Sequence, residues 1–130
     1  MSTKEGFTGN VMIHIIEATG LKPVTLPGGK ILSIMDPYCV IDFDDFYFGQ
    51  TTAKKQTVCP VWGETLDDSV DDAQRMQLTL FHSSTIPPDN FVAHAQINVA
   101  EMVELGQEGH GEHQVSPLGC CGSALATLKK

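Results

Sequence analysis

The stretch Tyr38-Cys39-Val40-Ile41-Asp42-Phe43, followed by Asp44-Asp45 and then Phe46-Tyr47-Phe48-Gly49-Gln50-Thr51, decides the fold. Cys39, Ile41 and Phe43 fall on one side of an extended chain and Tyr38, Val40 and Asp42 on the other, the period of two that marks a half-buried strand. Asp44-Asp45 supplies a turn, and Phe46 to Thr51 returns as the partner strand, interrupted at Gly49. Cys39 inside such a strand reads as a small core residue.

The same period recurs outward in both directions. Val11, Ile13 and Ile15 alternate with Met12, His14 and Ile16 and form the first strand. Thr19 to Ile34 holds Pro23, Pro27, Gly28 and Gly29, which predict a long exposed connection. Downstream, alternation returns around Trp62, Glu64 and Leu66, then after a turn at Asp71-Asp72 in Met76, Leu78 and Leu80, and again in Ala93, Ala95, Ile97 and Val99. Residues 100–105 read as one short helix closed by Gly106. Many short strands joined by Gly, Pro and Asp turns predict an all-β, antiparallel β-sandwich. The end of the chain fits this pattern less well. Leu125 and Leu128 do not alternate in phase, so the last strand is expected to be degenerate or missing, leaving its neighbour with an unpaired edge. A truncated or alternatively spliced product would explain such an ending.

With 130 residues the chain suits one domain. The reading divides it into a leader over 1–9, a domain over 10–118 and an atypical tail or partial last strand over 119–130. No apolar run approaches the roughly 20 residues needed to span a bilayer, and the first residues lack a signal-peptide core, so a cytoplasmic location is expected. The cysteines Cys39, Cys59, Cys120 and Cys121 should then be reduced, and their spacing does not suit zinc. The adjacent Cys120 and Cys121 lack the basic cluster that would support acylation. Net charge is −8, and nine of the sixteen carboxylates fall between Asp36 and Asp72. That excludes nucleic acid as a partner and opposes simple attraction to anionic lipid. Neither a phosphate loop nor a nucleophile turn is present, and the five histidines are scattered, so no catalytic residue is expected.

An ordered set of short motifs adds a family. Asp36-Pro37-Tyr38, Gly49-Gln50-Thr51, Pro60-Val61-Trp62, Leu80-Phe81-His82 and Asp89-Asn90-Phe91-Val92-Ala93 together resemble the C2 domain at the amino terminus of the novel, epsilon- and eta-type protein kinases C. The resemblance runs from about Asn10 to Leu118. It implies an eight-stranded sandwich with ligand loops at one end, and a regulatory role in a parent serine/threonine protein kinase active in signal transduction. The expected function is phospholipid sensing and targeting of a cytoplasmic protein to the membrane periphery on activation.

Calcium takes six to eight oxygens, mostly from carboxylates gathered from separate loops. Calcium-dependent C2 domains similar to this one use two aspartates in the first loop and three in the third. Here only Asp36 survives in the first loop, and His82, Ser84 and Asn90 stand where the third loop would carry ligands, with Asp89 shifted by one residue. A calcium-independent domain with no metal and no cofactor is expected, and Asp36 is read as starting a turn before Pro37.

Two surfaces are candidates for partners. Leu32, Ile34 and Met35 in the first loop, beside Ile31, and Ile86 in the third present apolar tips for an anionic phospholipid membrane, with Lys54 and Lys55 as a weak basic patch. The segment Glu17 to Val24, including Leu21 and Lys22, is similar to the one by which the epsilon-type kinase binds an anchoring protein. The resemblance also implies that the loop from His82 to Asp89 masks it. The alternative function is therefore an adaptor that binds an anchoring protein through this segment and has no useful lipid affinity.

Overall fold

The computed structural model describes residues 6–21, 24–26, 28–32, 34–85, 87–99, 111–118 and 122–129, with backbone alone at 32 and in the last two ranges. The strands, in order, are β1 (Phe7–Thr19), β2 (Val24–Thr25), β3 (Ile31–Leu32), β4 (Pro37–Phe43), β5 (Phe46–Gln50), β6 (Val61–Ala73), β7 (Arg75–His82), β8 (Asn90–Asn98), β9 (Gly111–Leu118) and β10 (Gly122–Lys129). Two four-stranded sheets, ordered β6-β1-β10-β9 and β5-β4-β7-β8, account for eight of them, and β2 and β3 form a separate ribbon. The neighbouring strands whose pairing is described are antiparallel.

The inward positions read from the sequence meet in one core. Val11, Ile13 and Ile15 of β1 pack with Cys39, Ile41 and Phe43 of β4, Met76, Leu78 and Leu80 of β7, and Ala93, Ala95 and Ile97 of β8. A bulge between Ile15 and Glu17 changes the phase of β1, so Ala18 is buried where strict alternation would place Glu17 inward. Trp62 crosses between the sheets, its indole N–H donating to the Pro37 carbonyl at 3.3 Å.

Three expectations are corrected. The last strand is not missing: β10 pairs with β1 from Met12↔Lys129 to Thr19↔Ser123, so β1 has a partner on each side and the expected unpaired edge there does not exist. Pairing with the open edge of β1, and not the phase of Leu125 and Leu128, determines that strand. The chain does not turn at Asp71-Asp72 but continues in β6 to Ala73, because β1 begins early enough for Phe7 to pair with Ala73 and Gly9 with Val70. Thr8 reinforces this pairing, its hydroxyl oxygen accepting the Asp72 N–H at 3.0 Å. The connection after β1 is also more ordered than a plain exposed loop, since β2 and β3 pair across Gly28 and Gly29, both at positive φ. The helix expected over 100–105 lies outside the described residues.

The β4–β5 hairpin expected from the sequence is present. Asp44 turns it with φ 54, and its carboxylate accepts the N–H groups of Gln74 and Arg75, each at 3.1 Å, tying the β4–β5 turn to the β6–β7 connection.

Candidate functional site

The described parts of the connections that follow β1, β5 and β7 meet at one end of the sandwich, where the Ser83 N–H donates to Asp36 O at 2.9 Å. The middle connection stitches the first loop down: the Leu21 N–H donates to Val58 O at 3.2 Å and the Thr57 N–H to Met35 O at 2.8 Å. Leu21 and Met35 thus stand at the two ends of the first loop, and both are buried.

Met35 is fully enclosed, which overturns its expected place on an apolar tip. It lies where the chain descends into β4, and its carbonyl is held by Thr57. Its neighbour Ile34 is 57% exposed and Ile31 62% exposed, so the first loop does present aliphatic surface, shifted toward the ribbon. The side chain of Leu32 and the whole of Ile86 lie outside the described residues, as does Lys22. Sequence reading missed two more exposed side chains, Val61 and Phe91, at strand starts on this end. Phe91 continues an aromatic row with Tyr38 and Phe81, at centroid separations of 5.7 Å for Tyr38–Phe81 and 6.4 Å for Phe81–Phe91.

The carboxylates at this end are engaged within the fold. Asp36 Oδ1 accepts the Gln56 N–H at 2.8 Å, its Oδ2 lies 3.8 Å from Lys55 Nζ, and its own N–H donates to His82 Nδ1 at 3.0 Å. This is more than a turn before Pro37, since one residue joins all three connections. Asp89 accepts the Tyr38 hydroxyl at 2.6 Å and the Ser84 N–H at 3.0 Å. The Tyr38 hydroxyl, with a smaller contribution from the Ser84 N–H, holds the Asp89 carboxyl below the usual carboxylate range. Burial, followed by the same contact, pushes Tyr38 up to about 12.

Lys54 and Lys55 do not form a free basic patch. Lys54 lies 3.9 Å from Glu64 and Lys55 belongs to the Asp36 cluster. Of the expected partner-binding residues, Leu21 is buried and Glu17 is a half-buried strand residue between Leu125 and Val61. His82 and Asp89 bond to Asp36 and Tyr38, and among the described residues neither bonds to the Glu17–Leu21 segment.

Residues 9–115 match the family model described as the C2 domain. The chain belongs to the C2 domain family, a class of binding module and not of catalyst. It is 35% identical over 106 residues to a protein kinase C of Drosophila melanogaster, covering 75% of this chain and 14% of that protein. It is 31% identical over 106 residues to the epsilon-type protein kinase C of Rattus norvegicus, covering 77% of this chain and 14% of the relative. The chain therefore spans about 14% of the length of these relatives. Among solved structures, the calcium-bound pair of C2 domains of Extended-Synaptotagmin 2 superposes with a TM-score of 0.71 at 25% identity, over 93% of this chain and 45% of that one. No helix among the described residues is long and apolar enough to cross a membrane.

Proposed function

We propose that this chain is a calcium-independent C2 domain that senses phospholipid and targets a protein kinase C-like signalling protein to the membrane periphery. The observation that carries the reading is the exposure of Ile31 and Ile34 on a first loop whose base is pinned by backbone hydrogen bonds. Ile31 and Ile34 are already partly covered, so burying what remains exposed of both in a membrane interface contributes roughly 2–4 kcal/mol. That suits reversible attachment, and it must outweigh the repulsion between an acidic protein and an anionic surface. With Lys54 and Lys55 each facing a carboxylate, apolar insertion is the stronger term.

The engagement of both loop-end carboxylates supports calcium independence. To bind a cation, Asp36 would have to release the Gln56 N–H and Lys55, and Asp89 the Tyr38 hydroxyl. The relatives' kinase chemistry belongs, on this reading, to sequence outside this chain. The adaptor reading has less support, because Leu21 is buried and Glu17 is held between two strands, whereas a docking segment needs free side chains or a free edge.

Co-sedimentation with phosphatidylserine vesicles, in calcium or in chelator, tests the proposal. Binding unchanged by chelator and lost in the Ile31→Asp/Ile34→Asp double variant is expected. Binding only with calcium overturns the calcium-independent assignment, and no binding in either condition moves the function to the adaptor.

A further inference from the structure

The opposite end of the sandwich carries a second surface, unrelated to the ligand loops. β5 and β6 each end their own sheet and face one another across the core. They approach closely where Gly49 lies against Leu66, since a Cβ at Gly49 would stand 3.2 Å from Leu66 Cδ1. Toward the β4–β5 turn they part and leave an open cleft of about 360 Å³. Phe43 and Phe48 form its apolar floor and meet edge to face with centroids 5.0 Å apart. Phe46 and Tyr47 stand at its mouth, 76% and 63% exposed, and Asp68 and Asp71 line the β6 side.

Exposed aromatic rings on an edge strand are a liability unless something covers them. Charge selects the occupant. The ion pairs among the described residues, Lys54–Glu64 and Lys55–Asp36, lie away from the cleft, so among the described residues neither Asp68 nor Asp71 has a lysine or arginine partner. An anionic lipid surface would meet this acidic rim with repulsion, and so would a second copy of a chain with net charge −8. An arginine or lysine side chain gains from both components of the wall: the carboxylates by charge and the faces of Phe46 and Tyr47 by cation–π attraction. β5 has a strand neighbour on one side only among the described residues, so an extended backbone fits beside it.

We infer that the cleft between β5 and β6 is a docking site for an extended basic peptide segment of a partner protein, with an apolar residue seated on Phe43 and Phe48 and flanking cations on the Asp68 and Asp71 rim. The apolar seat and the two exposed rings supply most of the affinity, and the carboxylates supply selectivity and speed of encounter.

The probe is a short labelled peptide alternating arginine with leucine, compared with a version carrying glutamate in place of arginine. Amide shifts of isotope-labelled protein are expected to cluster in residues 43–48 and 68–73 for the basic peptide and to be absent for the acidic one. Phe46→Ser and Asp68→Lys should each weaken binding by about tenfold or more. Both side chains are exposed, so unchanged thermal melting should show that the variants remain folded, with Tyr47→Ser as the alternative if Phe46→Ser does not. Four results overturn the inference: no binding of the basic peptide; shifts spread over the acidic surface with no effect of Phe46→Ser; sedimentation as a dimer that Phe46→Ser dissociates; or loss of anionic-vesicle binding in Phe46→Ser.

Discussion

The loop end and the turn end of the sandwich are both rich in carboxylates, yet they expose opposite kinds of surface. At the loop end Asp36 and Asp89 bond to backbone N–H groups, a hydroxyl and a lysine, and among the described residues of the first loop the large apolar side chains that stand exposed are the aliphatic Ile31 and Ile34. At the turn end Asp44 is likewise used by backbone N–H groups, but Asp68 and Asp71, which accept respectively the adjacent Ser69 N–H at 2.8 Å and the Thr8 hydroxyl at 3.3 Å, line the wall of an aromatic cleft without a described cationic partner. Local acidity therefore does not define a ligand. What matters is whether each carboxylate already serves the fold, and whether the apolar surface beside it is convex and aliphatic or concave and aromatic.

The largest loss at the loop end should come from its buried support. Trp62→Ala should cost about 3–5 kcal/mol, since it removes a buried indole and its bond to Pro37 across the sheets. Urea denaturation measures this, and a loss below about 1 kcal/mol would show that the two sheets do not depend on the indole. Next, Met35→Ala should cost about 2–4 kcal/mol by the same assay, whereas Ile34→Ala should stay within about 0.5 kcal/mol while weakening vesicle binding. Equal stability losses at the two positions would erase the distinction between buried plug and exposed tip.

The carboxylates can be compared in the same way. Asp44→Ala should destabilise by about 1–2 kcal/mol because two turn N–H groups lose their acceptor. Asp68→Ala should change stability by no more than about 0.5 kcal/mol, as its hydrogen bond is to the adjacent Ser69.

The smallest effect is in pH dependence. Asp89 has a depressed folded-state pKa, so its contribution is complete above the ordinary aspartate value and fades as pH falls through the folded value. Tyr38 is raised from 10.0 to about 12, so its contribution is complete below 10.0 and is lost as pH rises toward about 12. Thermal melts across both windows should show shallow declines, and Tyr38→Phe should flatten each of them in part, the remaining alkaline loss following the Cys39 thiol, which burial pushes up to about 12. Unaltered limbs in that variant would place the titrating groups elsewhere.

Much of the sandwich was readable because side chains on a strand alternate with a period of two, and Val11, Ile13, Ile15, Cys39, Ile41, Phe43, Met76, Leu78 and Leu80 obey that period into the core. The end of β6 was hidden because Asp71-Asp72 looks like a turn, although pairing with β1 carries the strand on to Ala73. The candidate site was only partly readable. Ile34 and Met35 are adjacent and similarly apolar, and no local rule distinguishes which of them is enclosed. The cleft was missed because its walls come from Phe46 and Asp68, which belong to different sheets.

From the residues alone follow an all-β sandwich, the inward faces of its central strands, the Asp44-Asp45 turn and membership of a family of recognition domains. These depend on local periodicity, on turn chemistry and on the order of short motifs. Long-range packing was needed to establish that β10 closes the edge of β1, that Met35 is buried beside an exposed Ile34, and that Asp36 and Asp89 are engaged within the fold while Asp68 faces a cleft. Each of those outcomes depends on a partner distant in the chain, through a strand edge, a backbone N–H or an opposing wall, and the identity of such a partner is not encoded in neighbouring residues.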